Sequence, residues 1–500
     1  MAVVISIDAG TTGVRSFAVD EQGKPQGWAY REFTQFFPQP GWVEHDAIEI
    51  WEAVQATLQD LLTNHLPAGT AVAAIGITNQ RETVVAWDRT TGKPLHRAIV
   101  WQDRRTASDC DRLVEAGHLE TVRRLSGLVL DPYFSGTKMA WLLREGGVDN
   151  STSLAMGTID DWLLWNLTGG VEGGVHATDP SNASRTMLYD IAGRHWSAEL
   201  SEILKVPLTA LGEVMPSSAR FGTVRAPIGG GALGGVPISG ILGDQQAALF
   251  GQACVKPGMV KNTYGTGSFI LMNVGPSCPE PTNGLLTTVA WDLGRHGGFA
   301  YALEGAVFVT GAAIQWLRDG LQIIESAADI GPLAASVAST DGVYVVPAFT
   351  GLGSPYWDPY ARGTIVGITR GTGRAQIARA VVESIGYQVR DVCDAMAKTA
   401  NTTVAELRVD GGAAVMDLLL QFQADQLGVP VCRPAVTEST ALGAAFAAGL
   451  AEGVWASTDE VLSSWQEEHR FEPSGPRELA DVGHNEWKRA VARSQGWARP

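Results

Sequence analysis

The chain has 500 residues, 45% of them hydrophobic and 18% charged, with a formal net charge of −16 at pH 7. This length predicts two or more globular domains, and the acidic balance excludes a general nucleic-acid or anionic-membrane binder. The five cysteines are far apart and form no C-x-x-C pair, which argues against a disulfide framework or a zinc site and favours a reducing compartment.

No run of residues is long and apolar enough to cross a bilayer. The first residues lack a basic segment, and Asp8 interrupts their short apolar run. We therefore expect a cytoplasmic protein with no signal peptide and no membrane insertion.

The first predicted element is a β-hairpin with a glycine-rich turn. Residues 3–7 and 14–19 are short apolar strands, and Asp8-Ala-Gly-Thr-Thr-Gly13 lies between them. A P-loop or dinucleotide fingerprint needs a helix after its glycines, and here a strand follows. Such a hairpin can still hold phosphate through backbone N–H groups and the Thr11 and Thr12 hydroxyls, with Arg15 as a charged donor and Asp8 as a Mg²⁺ ligand. The alternative is an ordinary β-turn.

Polar side chains follow the next predicted strands. A helix over 46–65 precedes a buried strand at 71–78, which ends at Arg81-Glu82. An adjacent Arg and Glu can hydrogen-bond a polyol as donor and acceptor, although a surface ion pair is the commoner role for such residues. A strand over 98–101 ends at Trp101, and Tyr133 enters a further helix, either as a hydroxyl donor or as a core tyrosine.

One carboxylate lies at a strand-to-helix turn near the middle of the chain. Residues 236–242 predict a buried strand, Gly243 ends it, and residues 245–254 predict a helix. One hypothesis makes Asp244 the general base of a phosphoryl transfer, since such a turn holds a side chain rigidly beside an anion site. The alternative is that Asp244 is a helix N-cap.

The second half of the chain repeats these patterns. Residues 259–273 predict a hairpin around Tyr264-Gly-Thr-Gly-Ser268, and residues 407–427 predict a strand, an Asp410-Gly-Gly412 turn and a helix. We therefore predict an α/β protein of two similar lobes with a cleft between them. We place the lobes at 1–250 and 251–500. The Ala- and Gly-rich helix over 440–449 is assigned to close packing.

Several motifs, in order and at similar spacing, carry a resemblance to a known family. Asp8 to Arg15, Gly243 to Gln246 and Asp410 to Ala413 resemble the actin, hexokinase and heat-shock ATPase superfamily, whose lobes are ribonuclease-H-like with mixed sheets. The chain is identified as similar to the FGGY carbohydrate kinases, on two further stretches at 133–145 and 363–383. More narrowly it resembles the members that act on glycerol, on five motifs: 41–46, 76–83, 182–188, 243–252 and 262–267.

The resemblance implies ATP-dependent phosphorylation of glycerol to sn-glycerol 3-phosphate, with Mg²⁺ and ATP/ADP as the cofactors. It assigns Asp244 as catalytic base and, with Asp8, as a holder of Mg²⁺ through water. It implies glycerol contacts from Arg81, Glu82, Tyr133, Asp244, Gln245, Trp101 and Phe269. It implies nucleotide contacts from Thr11, Thr12, Gly13, Arg15, Thr266, Gly311, Gln315 and Gly412. We also expect a homo-oligomer, either a dimer or a tetramer.

Departures from the family pattern bear on the nucleotide site and on regulation. Met416-Asp417 occupies the position where the family often has Asn near the adenine, so the contact there is left open. Some relatives are inhibited by fructose 1,6-bisphosphate through a basic loop, and the matching residues 229–235 contain no Lys or Arg. Others are activated by phosphorylation of a histidine, and residues 196–236 contain none. We expect both controls to be absent.

Two alternatives remain open at the level of sequence. Another FGGY sugar kinase, such as a pentulose kinase, would share the fold, and Arg81-Glu82 argues against it. An actin-like or chaperone-like ATPase would hydrolyse ATP without a small acceptor, and the same pair together with Asp244 argues against that class.

Overall fold

Two mixed β-sheets, one in each half of the chain, organise the computed structural model, which describes residues 2–282 and 284–498. The strands are β1 (Ala2–Ala9), β2 (Gly13–Val19), β3 (Pro25–Glu32), β4 (Gln35–Phe36), β5 (Glu44–His45), β6 (Ala71–Asn79), β7 (Val85–Asp88), β8 (Ala98–Ile99), β9 (Leu154–Gly157), β10 (Ala177–Thr178), β11 (Tyr189–Asp190), β12 (His195–Trp196), β13 (Glu213–Val214), β14 (Ser218–Thr223), β15 (Pro237–Gly243), β16 (Met259–Tyr264), β17 (Ser268–Gly275), β18 (Leu286–Asp292), β19 (Phe299–Val307), β20 (Tyr344–Val346), β21 (Thr364–Val366), β22 (Glu406–Gly411), β23 (Val431–Pro434) and β24 (Glu467–Phe471).

The helices connect these strands and cover the sheets. They are α1 (Ala47–Asp60), α2 (Ala107–Glu115), α3 (Leu119–Ser126), α4 (Ser135–Arg144), α5 (Ile159–Leu167), α6 (Pro180–Ala183), α7 (Ala198–Leu204), α8 (Asp244–Gly251), α9 (Gly311–Asp319), α10 (Ile330–Ala335), α11 (Arg374–Thr399), α12 (Asp417–Leu427), α13 (Ser439–Ala451), α14 (Thr458–Ser464) and α15 (Arg477–Ser494).

The two sheets have the same central topology. The first has the order β14-β15-β6-β1-β2-β3, and the second β18-β19-β17-β16-β22-β23-β24. In the first, β1 pairs antiparallel with β2 and parallel with β6; in the second, β16 pairs antiparallel with β17 and parallel with β22. The central strands are buried along almost their whole length, as their nearly continuous apolar sequences require. The predicted α/β architecture of two similar lobes is confirmed.

The helix α13 joins the lobes. It comes from the second half of the chain but packs on β1, β6 and β15 of the first sheet and against α8. Small residues allow this approach: a Cβ on Gly443 would lie 1.8 Å from the Ala247 carbonyl oxygen, and one on Gly76 would lie 2.1 Å from that of Ala444. The close packing predicted for this helix is therefore found. Because α13 crosses between the halves, the division at residue 250 stays a prediction.

Some predicted elements differ from the structure at their ends. The helix predicted over 245–254 is α8, which starts at Asp244 and ends at Gly251. Its N-cap is Gly243, with an extended backbone, so the N-cap interpretation of Asp244 is wrong. The strand predicted over 98–101 is only β8, because the chain turns at Trp101. The helix predicted over 46–65 is α1, with Asp46 as its N-cap, followed by a π-helical turn at Leu61–His65.

Within the described ranges, no helix has the length and hydropathy needed to cross a membrane. The five cysteines are free thiols, and Cys110, Cys254, Cys393 and Cys432 are buried.

Candidate active site

Two cavities lie side by side along the cleft. A cavity of about 950 Å³ contains Trp101, Tyr133, Phe269 and Glu304 in its lining. Another of about 780 Å³ is lined entirely by the second half of the chain, including Gly311, Gln315, Gly412 and Met416. Gly265 and Thr266, in the turn of the second hairpin, line both cavities. Of the predicted contacts, Trp101, Tyr133 and Phe269 thus line the larger cavity, and Gly311, Gln315 and Gly412 line the smaller one.

The Arg81-Glu82 pair is held in a strained turn at the end of β6. Their φ angles are 28° and 51°, in the left-handed region that costs a residue with a side chain about 1–3 kcal/mol. Both side chains are almost fully buried. A Cβ on Gly243 would lie 2.7 Å from Arg81 Cδ, so this glycine leaves room for the arginine to cross the sheet edge. The surface-pair alternative is therefore wrong.

A buried ionic network connects this turn to the second lobe. Arg81 donates from Nη1 to Glu304 Oε2 at 2.7 Å, and Arg185 donates from Nη2 to Glu304 Oε1 at 2.9 Å. Arg185 Nε also donates to Glu82 Oε1 at 2.7 Å. The four side chains are at most 2% exposed. Burial opposes ionisation of Glu304, but the charges of Arg185 and Arg81 outweigh it and lower the pKa of Glu304 to about 2.

Asp244 joins this network through a single oxygen. Arg81 Nε lies 2.9 Å from Asp244 Oδ1, and the Gln245 N–H donates to the same oxygen at 2.7 Å. The Asp244 side chain is 29% exposed, so it faces the cleft. The Ser181 hydroxyl accepts from the Gly243 N–H at 2.9 Å and fixes the start of α8. The contacts of Asp244 with Arg81 and with the Gln245 N–H thus both use Oδ1.

Tyr133 and Trp101 form an aromatic wall of the larger cavity. Their rings meet edge to face with centroids 5.6 Å apart, and Arg81 Nη2 donates to the Tyr133 hydroxyl at 3.2 Å. The buried Lys138 ammonium donates to the carbonyls of Pro132, Tyr133 and Phe134 at 2.7–2.9 Å and so holds the loop before α4. Phe269 lines the same cavity from β17.

Gln245 contacts a buried cation that the sequence prediction did not include. The Lys261 ammonium donates to Gln245 Oε1 and, at 3.1 Å, to the Thr263 hydroxyl. Burial lowers the pKa of Lys261 to about 8, although the nearby carboxylates of Asp410 and Asp244 favour the charged form. The pKa of Lys261 is therefore well below that of an exposed lysine, and its ammonium holds Gln245, a predicted glycerol contact.

Asp8 faces Asp244 from the first hairpin. Burial raises the pKa of Asp8 to about 7 despite the charge of Arg15, and the carboxylate of Asp244 acts in the same direction as burial. Within the described residues, no group of three or more His, Cys, Asp or Glu could hold a metal ion. Two carboxylates facing a phosphate site nevertheless suit Mg²⁺, which keeps several waters and binds through one or two carboxylates plus phosphates. The donor set therefore fits this ion.

The first hairpin is packed closely at its base. A Cβ on Gly13 would lie 2.6 Å from both the Arg31 carbonyl oxygen and the Tyr30 hydroxyl, so the turn requires glycine there. The Thr11 hydroxyl accepts from Trp101 Nε1 at 3.0 Å, and the Thr12 hydroxyl lies 3.4 Å from that of Tyr30. The Arg15 guanidinium lies over the Trp28 and Tyr30 rings, and across the cleft it lies 3.9 Å from Glu438.

The second hairpin meets the start of α9. Gly311 N–H donates to the Gly265 carbonyl at 3.0 Å, and a Cβ on Gly311 would lie 2.7 Å from that oxygen. Gln315 lies one turn further along α9 and lines the smaller cavity with Gly412. Met416 lines this cavity too, so its wall is apolar where the family pattern has an amide.

Sequence reasoning missed Arg185, Glu304, Lys261 and Lys138 as site residues. Arg185 and Lys138 lie inside motifs that carried the family resemblance, at 182–188 and 133–145, and Lys261 lies in the hairpin predicted over 259–273. The signal was a charged side chain within an otherwise buried segment, which is rare unless the charge is paired. Their partners are far away in sequence, so the pairing itself was not readable from the chain.

Comparisons with known proteins agree with this arrangement. The chain matches the N-terminal domain model of the FGGY family of carbohydrate kinases at residues 3–251 and the C-terminal domain model at residues 260–452. It is 53% identical to a glycerol kinase of Bordetella parapertussis, covering 99% of this chain and 98% of that one. It is also 53% identical to glycerol kinase 2 of Thermotoga maritima, covering 100% of both.

Solved structures of similar proteins superpose on this chain. A glycerol kinase of Plasmodium falciparum with ADP superposes with a TM-score of 0.93 at 33% identity, covering 99% of this chain and 98% of that one. A xylulose kinase of Lactobacillus acidophilus superposes with a TM-score of 0.88 at 22% identity, covering 99% of both chains, and shows the shared fold.

The buried network predicts a large stability effect from loss of Glu304. Glu304→Gln keeps the side-chain shape but leaves two buried guanidinium groups with one carboxylate fewer, so we expect the free energy of unfolding to fall by about 3–5 kcal/mol. Urea denaturation measures this. Glu468→Gln is the matched control, since Glu468 pairs with Arg433 at 2.6 Å but is 54% exposed, and should cost about 0–1 kcal/mol. Equal effects of the two variants would contradict the assignment.

The pKa of Lys261 predicts the alkaline limit of turnover. As pH rises from 7 to 9 the ammonium loses its proton and no longer offsets the charges of Asp244 and Asp410, so turnover of the wild-type protein should decline around pH 8. Lys261→Met should have a lower kcat that lacks this decline, because the titrating group is gone. Lys256→Met, at an exposed position, should keep the wild-type profile. Persistence of the decline in Lys261→Met would reject Lys261 as its source.

Proposed function

Because this chain belongs to the FGGY family of carbohydrate kinases, we propose that it transfers the γ-phosphoryl group of ATP to glycerol, giving sn-glycerol 3-phosphate and ADP. The observation that carries the proposal is the set of contacts made by Arg81, which contacts Asp244 and two lining residues of the larger cavity, Tyr133 and Glu304. The Trp101 and Phe269 rings line the same cavity. The whole-length similarity to glycerol kinases supports the choice of glycerol within the family.

Glycerol binding is proposed to depend on polar groups at fixed positions. The acceptor cavity is much larger than a three-carbon polyol, so filling of the cavity alone cannot select the substrate. Arg81 donates hydrogen bonds to the hydroxyl oxygens, and Glu82 and Asp244 accept hydrogen bonds from the hydroxyl groups. Trp101 and Phe269 cover the carbon side. A site built from buried polar groups disfavours an analogue that leaves those groups unpaired.

The proposed chemistry is an in-line transfer with Asp244 as base. The hydroxyl oxygen of glycerol forms a bond to the γ-phosphorus as the bond to the leaving ADP oxygen breaks. The hydroxyl proton passes to Asp244, and Oδ2 is suited to receive it because Oδ1 is bound to Arg81 and to the Gln245 N–H. An alcohol loses its proton late in such a transfer, so the position of Asp244 matters more than its basicity.

Phosphate binding is assigned to the two hairpins. Thr11, Thr12 and Gly13 offer backbone N–H and hydroxyl donors from the first, and Thr266 with the start of α9 offers them from the second. Arg15 supplies a charge at the cleft. Asp8 and Asp244 would hold Mg²⁺ through water, and the ion when bound offsets negative charge on the phosphates. The smaller cavity between α9 and α12 receives the nucleoside, near Gln315 and Gly412.

An acceptor panel tests the proposed function. Purified protein with Mg·ATP should form ADP with glycerol, more weakly with dihydroxyacetone, and at background rates with xylulose or ribulose. A preference for xylulose or ribulose would instead support a pentulose kinase. Strong ATP hydrolysis that glycerol does not change would support the ATPase alternative.

Asp244→Asn tests the base directly. We expect kcat to fall by about 10²–10⁴-fold, because the substituted amide cannot accept the proton, while ADP affinity stays within about threefold. Stopped assays and calorimetry measure the two quantities. Asp60→Asn, at a carboxylate that is 45% exposed, should leave both unchanged. Turnover of Asp244→Asn near the wild-type value would remove Asp244 from this role.

We further propose a homo-oligomer, dimer or tetramer, in the cytoplasm, as the resemblance implies. Light scattering on the purified protein gives the oligomeric state.

A further inference from the structure

His45 lies beneath the first hairpin and is not one of the residues that line the two cavities. It belongs to β5, its side chain is fully buried, and its ring meets Phe33 edge to face with centroids 4.9 Å apart. Burial lowers the pKa of His45 to about 4. The ring is therefore neutral near pH 7, with one nitrogen that donates and one that accepts.

The hydrogen bonds around His45 fix which nitrogen carries the proton. The Trp101 N–H donates to the Thr83 hydroxyl at 3.2 Å, and that hydroxyl donates to Gln80 Oε1 at 3.1 Å. The Gln80 amide nitrogen therefore faces His45 Nδ1, 3.3 Å away, and donates to it. The proton is left on Nε2, which donates to Gln35 Oε1 at 2.7 Å.

Both glutamines also hold the turn of the hairpin. Gln80 Nε2 donates to the Gly10 carbonyl at 3.2 Å, and Gln35 Nε2 donates to the Thr11 carbonyl at 2.9 Å. The backbone adds two more bonds: Gln80 N–H donates to the Ala9 carbonyl at 3.0 Å, and Phe33 N–H to the Thr12 carbonyl at 3.3 Å. Four consecutive carbonyls, from residue 9 to residue 12, are thus held on the protein side.

This arrangement determines where the N–H groups point. In a trans peptide the C=O of one residue and the N–H of the next point in opposite directions. Holding the carbonyls of residues 9–12 therefore turns the N–H groups of residues 10–13 the other way, which is the geometry of an anion-binding nest. Two of the four holding bonds come from the side chains that His45 orients.

The same hydrogen-bond network includes a residue of the acceptor cavity, Trp101. Its backbone N–H donates to the Thr83 hydroxyl, and its indole N–H donates to the Thr11 hydroxyl at 3.0 Å. The same tryptophan lines the larger cavity beside Tyr133. One connected set of hydrogen bonds therefore spans the acceptor wall and the phosphate turn, and such networks are stronger when every member is satisfied.

We propose that His45, acting through Gln35 and Gln80, is the positioning residue that presents the N–H groups of residues 10–13 to the phosphates of the nucleotide. The inference rests on the proposed function for the identity of the anion. It assigns to His45 no contact with substrate and no proton transfer. Its effect is to hold two carbonyls that would otherwise be free to turn toward the phosphate.

The test uses His45→Phe, which keeps the ring packing against Phe33 and removes both nitrogens. We expect the KM for ATP and the dissociation constant for ADP to rise about tenfold, the scale of one or two lost organising hydrogen bonds, and the KM for glycerol to change less than twofold. Ser16→Ala is the matched control, because it removes a buried hydrogen bond of 2.8 Å to Thr57 in the same lobe. It should lower the melting temperature and leave both KM values unchanged.

Gln35→Met provides a second route if His45→Phe does not fold. It removes the donor to the Thr11 carbonyl at nearly constant volume, so it should raise the KM for ATP alone. The double variant His45→Phe/Gln35→Met should have a KM for ATP no higher than that of the poorer single variant, because both substitutions interrupt the same series of hydrogen bonds.

Wild-type affinity for ADP and for ATP in both single variants would overturn the proposal, as would an equal rise of both KM values that follows the loss of melting temperature. ADP calorimetry needs no acceptor, so this result is independent of whether glycerol is the substrate. Absence of ADP binding to the wild-type protein would instead reject the proposed function.

Discussion

The constraint on which the rest of the site depends is the buried ionic network between the lobes. Arg81 and Arg185 of the first lobe converge on Glu304 of the second, and Glu82 completes the charge balance. Burying four charges is costly, and the cost is offset only when each partner is present with good geometry. The network therefore favours one arrangement of the β6 turn, and it holds Arg81 and Glu82 in left-handed conformations that the local sequence disfavours. The turn that carries Arg81 and Glu82 is therefore fixed by contacts within the protein.

The balance of charges around this network bears on nucleotide binding. The site pairs Asp8, Glu82, Asp244 and Glu304 with Arg15, Arg81, Arg185 and Lys261, so it is close to neutral in a chain of net charge −16. An anionic nucleotide meets no strong basic patch here. Under the proposed function, backbone N–H groups of two glycine-containing hairpins, a helix start and a bound Mg²⁺ ion would supply the positive potential. Glycine at residues 13, 311 and 411 is needed because a Cβ there would lie 2.3–2.7 Å from a backbone carbonyl oxygen.

The sequence predicts the repeated architecture well because each half carries its own local signals. Apolar runs mark the central strands, and glycine turns follow them in the same order in both halves. The position of Asp244 on α8 follows from the strand, the glycine and the helix around it. The partners within the ionic network could not be predicted from local sequence. Arg81 and Glu304 are 223 residues apart, and Arg185 and Glu304 are 119 residues apart. No local pattern encodes which buried charges meet across a cleft, and the left-handed turn at Arg81 contradicts local preference, so only the assembled fold determines them.

The contacts between the lobes also limit how they can move relative to one another. Along one side of the cleft, α13 packs very closely on the first sheet. Carbonyl oxygens there occupy the space that a Cβ on the contacting glycines would need. The ionic network between the lobes is desolvated, and separating Arg81 and Arg185 from Glu304 would leave several buried charges unpaired at once. The packing of α13 and the pairing of Glu304 therefore both oppose separation of the lobes where they are in contact.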